Sequence, residues 1–143
     1  MRLYLAHALR ARHYVRRMEL WFEARTGIEL VNPFYDASER EDIAKIDSGK
    51  QAPYGPGLDP VKIVEGDLKT IDACDGVLGY VKLGMPSIGT YIELWYAYTK
   101  GKPVYVMTKN WANHPWLRYI VTKSGGFIVT SWEQAARKLH ALT

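Results

Sequence analysis

Within Gly84–Ala97, read as GMPSIGTYIELWYA, Glu93 is the side chain best suited to bond-breaking chemistry. Proline and two glycines shape the turn before it, Ser87 supplies a hydroxyl, and the pattern predicts a helix from Gly89 to Lys100 that Gly101 ends. Backbone N–H groups at a helix start favour an anion or a polar oxygen. Glu93 falls one turn into the helix, where the dipole is expected to keep its carboxylate ionised. An ionised carboxylate at the mouth of a cleft can attack the anomeric carbon of a sugar, which is nucleophilic catalysis of the retaining glycosidase type. An early-turn glutamate also serves in many helices only to offset the dipole, for ~0.3–1 kcal/mol. The spacing alone leaves both readings open.

The elements that must position this residue alternate along the chain. Arg2–Ala6 (RLYLA) is a short apolar run of the buried-strand kind. Arg10–Thr26 follows with Val15, Met18, Trp21 and Phe22 at helical spacing and Gly27 as a stop. Ile28–Val31 is a second strand, closed by Asn32-Pro33, and Ser38 with Glu41 forms a capping box for a short helix. Ser48–Pro60 holds three glycines and three prolines and must be a loop. Asp59-Pro60 caps a helix running to about Ala73. Asp75–Val81 reads as a central strand, Lys82–Ile88 as a loop, Pro103–Met107 as a strand, and His114–Lys123 as a helix. Phe127–Val129 is the last strand, and Ser131 with Gln134 caps the C-terminal helix. Five strands alternating with helices imply an α/β fold: a single domain over residues 1–143 with a doubly wound, five-stranded parallel sheet of the flavodoxin-like kind. Ligands bind such sheets beyond the carboxyl ends of the strands. The loops after Ala6, Val31 and Val81 are therefore where function is to be sought.

Composition narrows the classes. The 143 residues are 48% hydrophobic and 24% charged, enough for a core without staples. One cysteine, Cys74, excludes an internal disulfide, reads as core rather than as a nucleophile, and suits a reducing cytoplasm. The N-terminal run is broken by His7 and Arg10 and is not read as a signal peptide. No apolar run approaches the ~20 residues of a membrane span, so no membrane partner is expected. The four histidines are too scattered for a metal site, and no cofactor is expected. A net charge of +4 favours anionic partners without choosing among them. Arg10, Arg12, Arg16 and Arg17 with His7 and His13 form a basic N-terminal patch, so a nucleic-acid-binding module is a rival of another class. The chain carries no helix-turn-helix, zinc or ribonucleoprotein signature in its favour. A nucleotide or flavin sensor without catalysis would need only the fold.

The string P-S-I-G-T-Y-I-E-L-W-Y-A resembles the signature of the nucleoside 2-deoxyribosyltransferase family, which includes the 2'-deoxynucleoside 5'-phosphate N-hydrolases. There an acidic or hydroxyl residue, a glycine two later and a glutamate four after that precede Leu-Gly-x-Ala. Ser87, Gly89, Glu93, Leu94 and Ala97 match. Tyr4 in a Y-L-A segment, Asp67-Leu68 before the central strand, Asp75 at its opening and Gly101-Lys102-Pro103-Val104 also match, so the likeness runs from about Arg2 to Met107. The resemblance implies that Glu93 is the nucleophile of a covalent deoxyribosyl-enzyme and that Asp67 handles the proton on the departing base. It implies that Tyr4 orients Glu93 by a hydrogen bond, and that Ser87 and the amides near Gly89 hold the 5' end of the sugar. Substrates would be a deoxynucleoside or deoxynucleotide and a free nucleobase acceptor, with no nucleic acid, and a homo-oligomer is expected. Asp67 also reads as a solvated helix acid, Tyr4 as core, and Asp75 as a residue that fixes the turn before its strand.

Two positions depart from the family pattern. Trp95 replaces the usual glycine, and a ring there is expected to repack the helix or narrow the base site. The loop after the first strand is His7-Ala8-Leu9-Arg10 rather than glycine-rich, so Arg10 is expected to bind substrate by its charge where relatives use backbone amides. Relatives acting on free nucleosides commonly carry aspartate at the Ser87 position, which would repel a 5'-phosphate. Serine can donate to one. The expectation is a nucleoside 2-deoxyribosyltransferase, with transfer to water from a 5'-monophosphate as the alternative.

Overall fold

Leu3, Tyr4, Leu5 and Ala6 are buried in succession, which a strand allows only when both faces are covered. The computed structural model describes residues 1–36, 40–85 and 87–143. In it β1 (Arg2–Ala6) is an interior strand of a sheet with β2 (Glu29–Val31), β3 (Gly76–Tyr80), β4 (Val104–Met107) and β5 (Ile128–Val129). The order is β2-β1-β3-β4-β5, all pairs parallel, as in flavodoxin-like sheets. Tyr4 pairs with Val31 on one side and Val77 on the other, and Ala6 pairs with Gly79.

Alternate residues of β1 serve opposite layers. Leu3 and Leu5 pack with Val15 and Phe22 of α1 (Arg12–Thr26) and with Trp132, Ala135 and Leu139 of α6 (Trp132–His140). Tyr4 and Ala6 pack with Ile71 of α3 (Pro60–Asp72), Leu94 and Ala97 of α4 (Ile88–Thr99), and Leu117 of α5 (Pro115–Ser124). Each fully buried aliphatic side chain here stabilises the fold by roughly 1.5–3 kcal/mol. A short α2 (Glu41–Asp47) covers the loop side with Ile43 and Ile46. Among the described residues no helix is long and apolar enough to cross a membrane.

Caps fix the helix axes. The Asp59 carboxylate accepts from the N–H groups of Val61 and Lys62, and Pro60 follows at the first helical position. Gly27, at φ 73°, closes α1 with its N–H on Glu23 O. Ser131 caps α6 through Gln134 N–H, while the Gln134 side chain accepts from Thr130 N–H, one residue earlier than a capping box places it. Gly79 lets α4 approach the sheet, since a Cβ there would lie 2.9 Å from Leu94 Cδ2. That close approach brings the neighbouring Glu93 down over β1.

Most element boundaries fall within a residue of the sequence reading, as at β3, α4, β4, α5 and β5, and three differences bear on the site's surroundings. Leu9–Ala11 form a 3-10 turn and α1 starts at Arg12, because Ala11 N–H bonds back to Ala8 O. β2 begins at Glu29, not Ile28. α2 starts at Glu41, and the Ser38 of the expected capping box lies outside the described residues.

Candidate active site

Tyr4 sits at the middle of β1 on the face that α3 and α4 cover, with none of its surface exposed. Its hydroxyl donates to Glu93 Oε2. Strand β1 and helix α4 thus converge on one carboxylate at the carboxyl end of the sheet, beside the β1–β3 boundary where the strand order reverses. A cavity of about 400 Å³ opens there, lined by Tyr4, Glu93, Asp67, Ser87, Gly89 and residues of the loop after β2. That volume suits a small-molecule ligand.

The electrostatics of the cavity follow from burial. Desolvation pushes the Glu93 carboxyl up to about 8, and the nearby Asp67 charge adds to this. The Tyr4 hydrogen bond and Arg40 oppose the rise without cancelling it. This corrects the expectation of a dipole-held ion. Glu93 is the sixth residue of α4, past the turn in which the dipole acts, and the desolvation of its site outweighs that small term. Asp67 is pushed up to about 6 by burial and by Asp42, against the pull of Arg40. The Tyr4 hydroxyl is held well above its ordinary value, first by burial and then by the Glu93 charge, so it remains a donor. Burial thus raises both carboxyl groups, and Arg40 opposes the rise in each.

Ser87 stands at the N-cap of α4, where its carbonyl accepts from Tyr91 N–H and its hydroxyl donates to Thr90 Oγ1 at 3.2 Å. Gly89 borders the cavity, and a Cβ there would meet no atom within 4 Å. No protein neighbour demands glycine at this position, so the space it leaves belongs to the cavity. Arg10 is placed elsewhere. It lines an adjacent groove of about 480 Å³ on the α1 and α6 side, with Lys82 and Lys109. Trp95 turns away from the Glu93 cavity. It packs at 6.0 Å from the Trp116 ring and at 5.3 Å from the Tyr98 ring, lining an apolar groove against α5. It neither narrows the cavity nor disturbs the helix that carries Glu93. Asp75 accepts from the Arg2 backbone N–H at 2.8 Å, which ties the start of β1 to β3.

Several cavity residues carried no signal in the sequence. Arg40 donates to both oxygens of Asp42 and to Asp67 Oδ1, and its guanidinium covers the Phe34 ring. Phe34 is held by a buried network: Asn32 Oδ1 accepts from Phe34 N–H, and Asn32 Nδ2 donates to the buried Glu19. His7 is buried edge-on to Phe34, and its Nδ1–H donates to Leu5 O. The carbonyl can only accept, which fixes the tautomer, and burial holds the imidazole neutral, down at about 4. The contacts that bring these groups together, Arg40 to Asp67, Asn32 to Glu19 and His7 to Phe34, bridge distant segments, so no spacing announces them.

Residues 3–137 match the nucleoside 2-deoxyribosyltransferase family. No curated protein matches the chain significantly in sequence. Among solved structures, a conserved protein from Enterococcus faecalis superposes with a TM-score of 0.71 at 18% identity, covering 100% of this chain and 99% of the other. The CMP N-glycosidase of Clostridium botulinum superposes with a TM-score of 0.62 at 19% identity, over 99% of each chain. The 2-deoxyribosyltransferase of Bacillus psychrosaccharolyticus does so with a TM-score of 0.62 at 19% identity, over 95% of this chain and 90% of its own. At such identities the structural likeness is one of fold.

Proposed function

This chain belongs to the nucleoside 2-deoxyribosyltransferase family, a family of N-glycosyl transferases and hydrolases, and from that premise we propose that it moves a 2-deoxyribosyl group between nucleobases through Glu93. The observation that carries this reading is the Tyr4–Glu93 hydrogen bond at the wall of a cavity that also receives Asp67. With Oε2 engaged by Tyr4, Oε1 is the oxygen free to attack C1' of the sugar. The C1'–N bond breaks, its electron pair leaves with the base, and Asp67 donates the proton that neutralises it. A second base then gives its N–H proton to the Asp67 carboxylate, attacks C1' from the face the first one left, expels the Glu93 carboxylate and gives a product of retained configuration. Ser87 and the amide of Gly89 hold the 5' end of the sugar. Arg10, outside this cavity, enters only if the substrate's 5' substituent extends into its groove.

Transfer to water from a 5'-monophosphate is the second reading. It is favoured by Ser87, a neutral donor where a carboxylate would repel phosphate. A CMP N-glycosidase of the same fold is in keeping with it. Assembly into a homo-oligomer finds support in the aromatic face of α4 and α5, where Ile92 is 59% and Trp116 65% exposed. The test is incubation with deoxynucleosides and with their 5'-monophosphates, each with and without a second base, following released base and new nucleoside by chromatography. New nucleoside formed only when a second base is present supports transfer. Base released at the same rate without an acceptor supports hydrolysis. No release from any of these substrates refutes both.

A further inference from the structure

Among the described residues, Arg40 is the one cation that meets the proposed acid directly. It stands just before α2, and its side chain is only 13% exposed. Its Nε and Nη2 donate to Asp42 Oδ1 and Oδ2 at 2.8 and 2.9 Å, a bidentate pair that leaves the fork no rotational freedom. The Phe34 ring lies under its flat face. The remaining edge is thereby aimed at α3, where Nη1 donates to Asp67 Oδ1 at 3.1 Å. Asp67 Oδ2 has no donor among the described residues. With Oδ1 engaged by Arg40, Oδ2 is the oxygen left to exchange a proton with a ligand.

Asp67 faces charged and titratable groups from every side. Tyr4 on β1 and Glu93 on α4 share its cavity, and Arg40 and Asp42 approach from the start of α2. Glu41 and Lys45 on α2, with Lys62 and Lys69 on α3 itself, ring the groove on its outer side. Of these only Arg40 touches it.

We propose that Arg40 is a positioning residue for Asp67: anchored by Asp42, it fixes Oδ1, leaves Oδ2 for the departing base, and by its charge governs how the proton is divided between Asp67 and Glu93. This role rests on the reading of Asp67 as the proton donor. Removing the guanidinium removes a positive charge from beside the pair, so both groups must hold their protons to higher pH. Restoring the charge without the fork restores the titration but not the geometry.

The experiment compares wild type, Arg40→Gln, Arg40→Lys and Asp42→Asn by two readouts: carbon-13 titration of the Asp67 carboxyl, and the pH profile of kcat/KM with a poor leaving base. In Arg40→Gln the Asp67 titration and both limbs of the profile move up by about one pH unit, and kcat falls at least about tenfold while KM changes little. Arg40→Lys keeps the limbs near their wild-type positions yet remains slow. If Arg40→Gln does not fold, Asp42→Asn serves alone: it takes a negative charge from beside Asp67, so the titration moves down while kcat falls. An Asp67 titration that stays at its wild-type position in folded Arg40→Gln, or in Asp42→Asn, overturns the proposal, even if Arg40→Gln is slow or has a lowered Tm. The titration needs no turnover. A wild type inert toward all nucleosides and nucleotides therefore sinks the proposed function without deciding the Arg40–Asp67 coupling.

Discussion

Replacing Tyr4 by Phe removes one oxygen from the centre of the fold and leaves the ring in its packing. Tyr4 is wholly buried among Ile71, Val77 and Leu94, so the aromatic body stays fixed. What is lost is the donor to Glu93 Oε2. A hydrogen bond to a charged acceptor contributes about 1.5–3 kcal/mol. At about 1.4 kcal/mol per pKa unit, its loss raises the Glu93 carboxyl by about one to two units above its position near 8. At pH 7 a carboxyl with a pKa of about 8 is ionised in about one molecule in ten. Raising it by that amount lowers the ionised fraction, and with it kcat/KM, by about 10- to 100-fold. The assay is kcat/KM from pH 6 to 10 on a substrate with an activated leaving base, so that the proton from Asp67 is dispensable. The acidic limb should move up, and the deficit of Tyr4→Phe should shrink as pH rises. A deficit equal at every pH would mean that Tyr4 only shapes the cavity. A loss below about twofold would refute the claim that the hydroxyl holds Glu93 in its reactive form.

Glu93→Gln removes a group whose folded pKa is raised, so Glu93 itself favours the fold below its unfolded pKa and loses that contribution as pH climbs through about 8. The variant should therefore gain Tm relative to wild type at pH 9 and not at pH 5; equal Tm differences at both would contradict the burial argument. Asp67→Asn should slow substrates with poor leaving bases far more than activated ones, measured as the ratio of their kcat/KM values, and equal slowing would argue that Asp67 only positions the sugar. Ser87 stands at the start of the helix that carries Glu93. Two charge-assisted bonds from that region to a phosphate predict at least a hundredfold preference for monophosphates in wild type, since each ~1.4 kcal/mol is tenfold. Ser87→Asp should reverse that preference, and a wild type that prefers the free nucleoside would refute this reading of Ser87.

Much of the fold is legible in the chain because its central strands are buried on both faces. RLYLA, GVLGY and VYVM are apolar runs that a helix of that length would not hold. Asp59-Pro60 and Gly27 marked helix ends through local geometry, and both sit where they were expected. The start of α1 was misplaced because a 3-10 turn and a helix share the same apolar spacing over three residues. The meeting of Tyr4 with Glu93 was implied by family resemblance, not by spacing: 89 residues separate the two. The ionisation of Glu93 was read from its place in a helix, and the reading failed because desolvation is a property of the packed cavity. Arg10 is expected at the site because its charge could replace the glycine-rich turn of relatives, yet it lines the neighbouring groove beyond the turn at Leu9–Ala11. Arg40 gave no signal at all, since its pairing with Asp67 spans 27 residues and depends on how two loops and a helix meet.

The covalent intermediate on Glu93 is the central claim, and trapping it is the most direct test. A deoxynucleoside fluorinated at C2', with an activated base, slows turnover of a glycosyl-enzyme by destabilising its oxocarbenium-like transition state. Incubated with the protein and digested, it should leave a sugar adduct on the peptide carrying Glu93, and the unmodified substrate should yield product of retained anomeric configuration. An unmodified Glu93 peptide together with inverted product, or a Glu93→Gln variant that keeps more than about a tenth of the wild-type rate, would contradict the account.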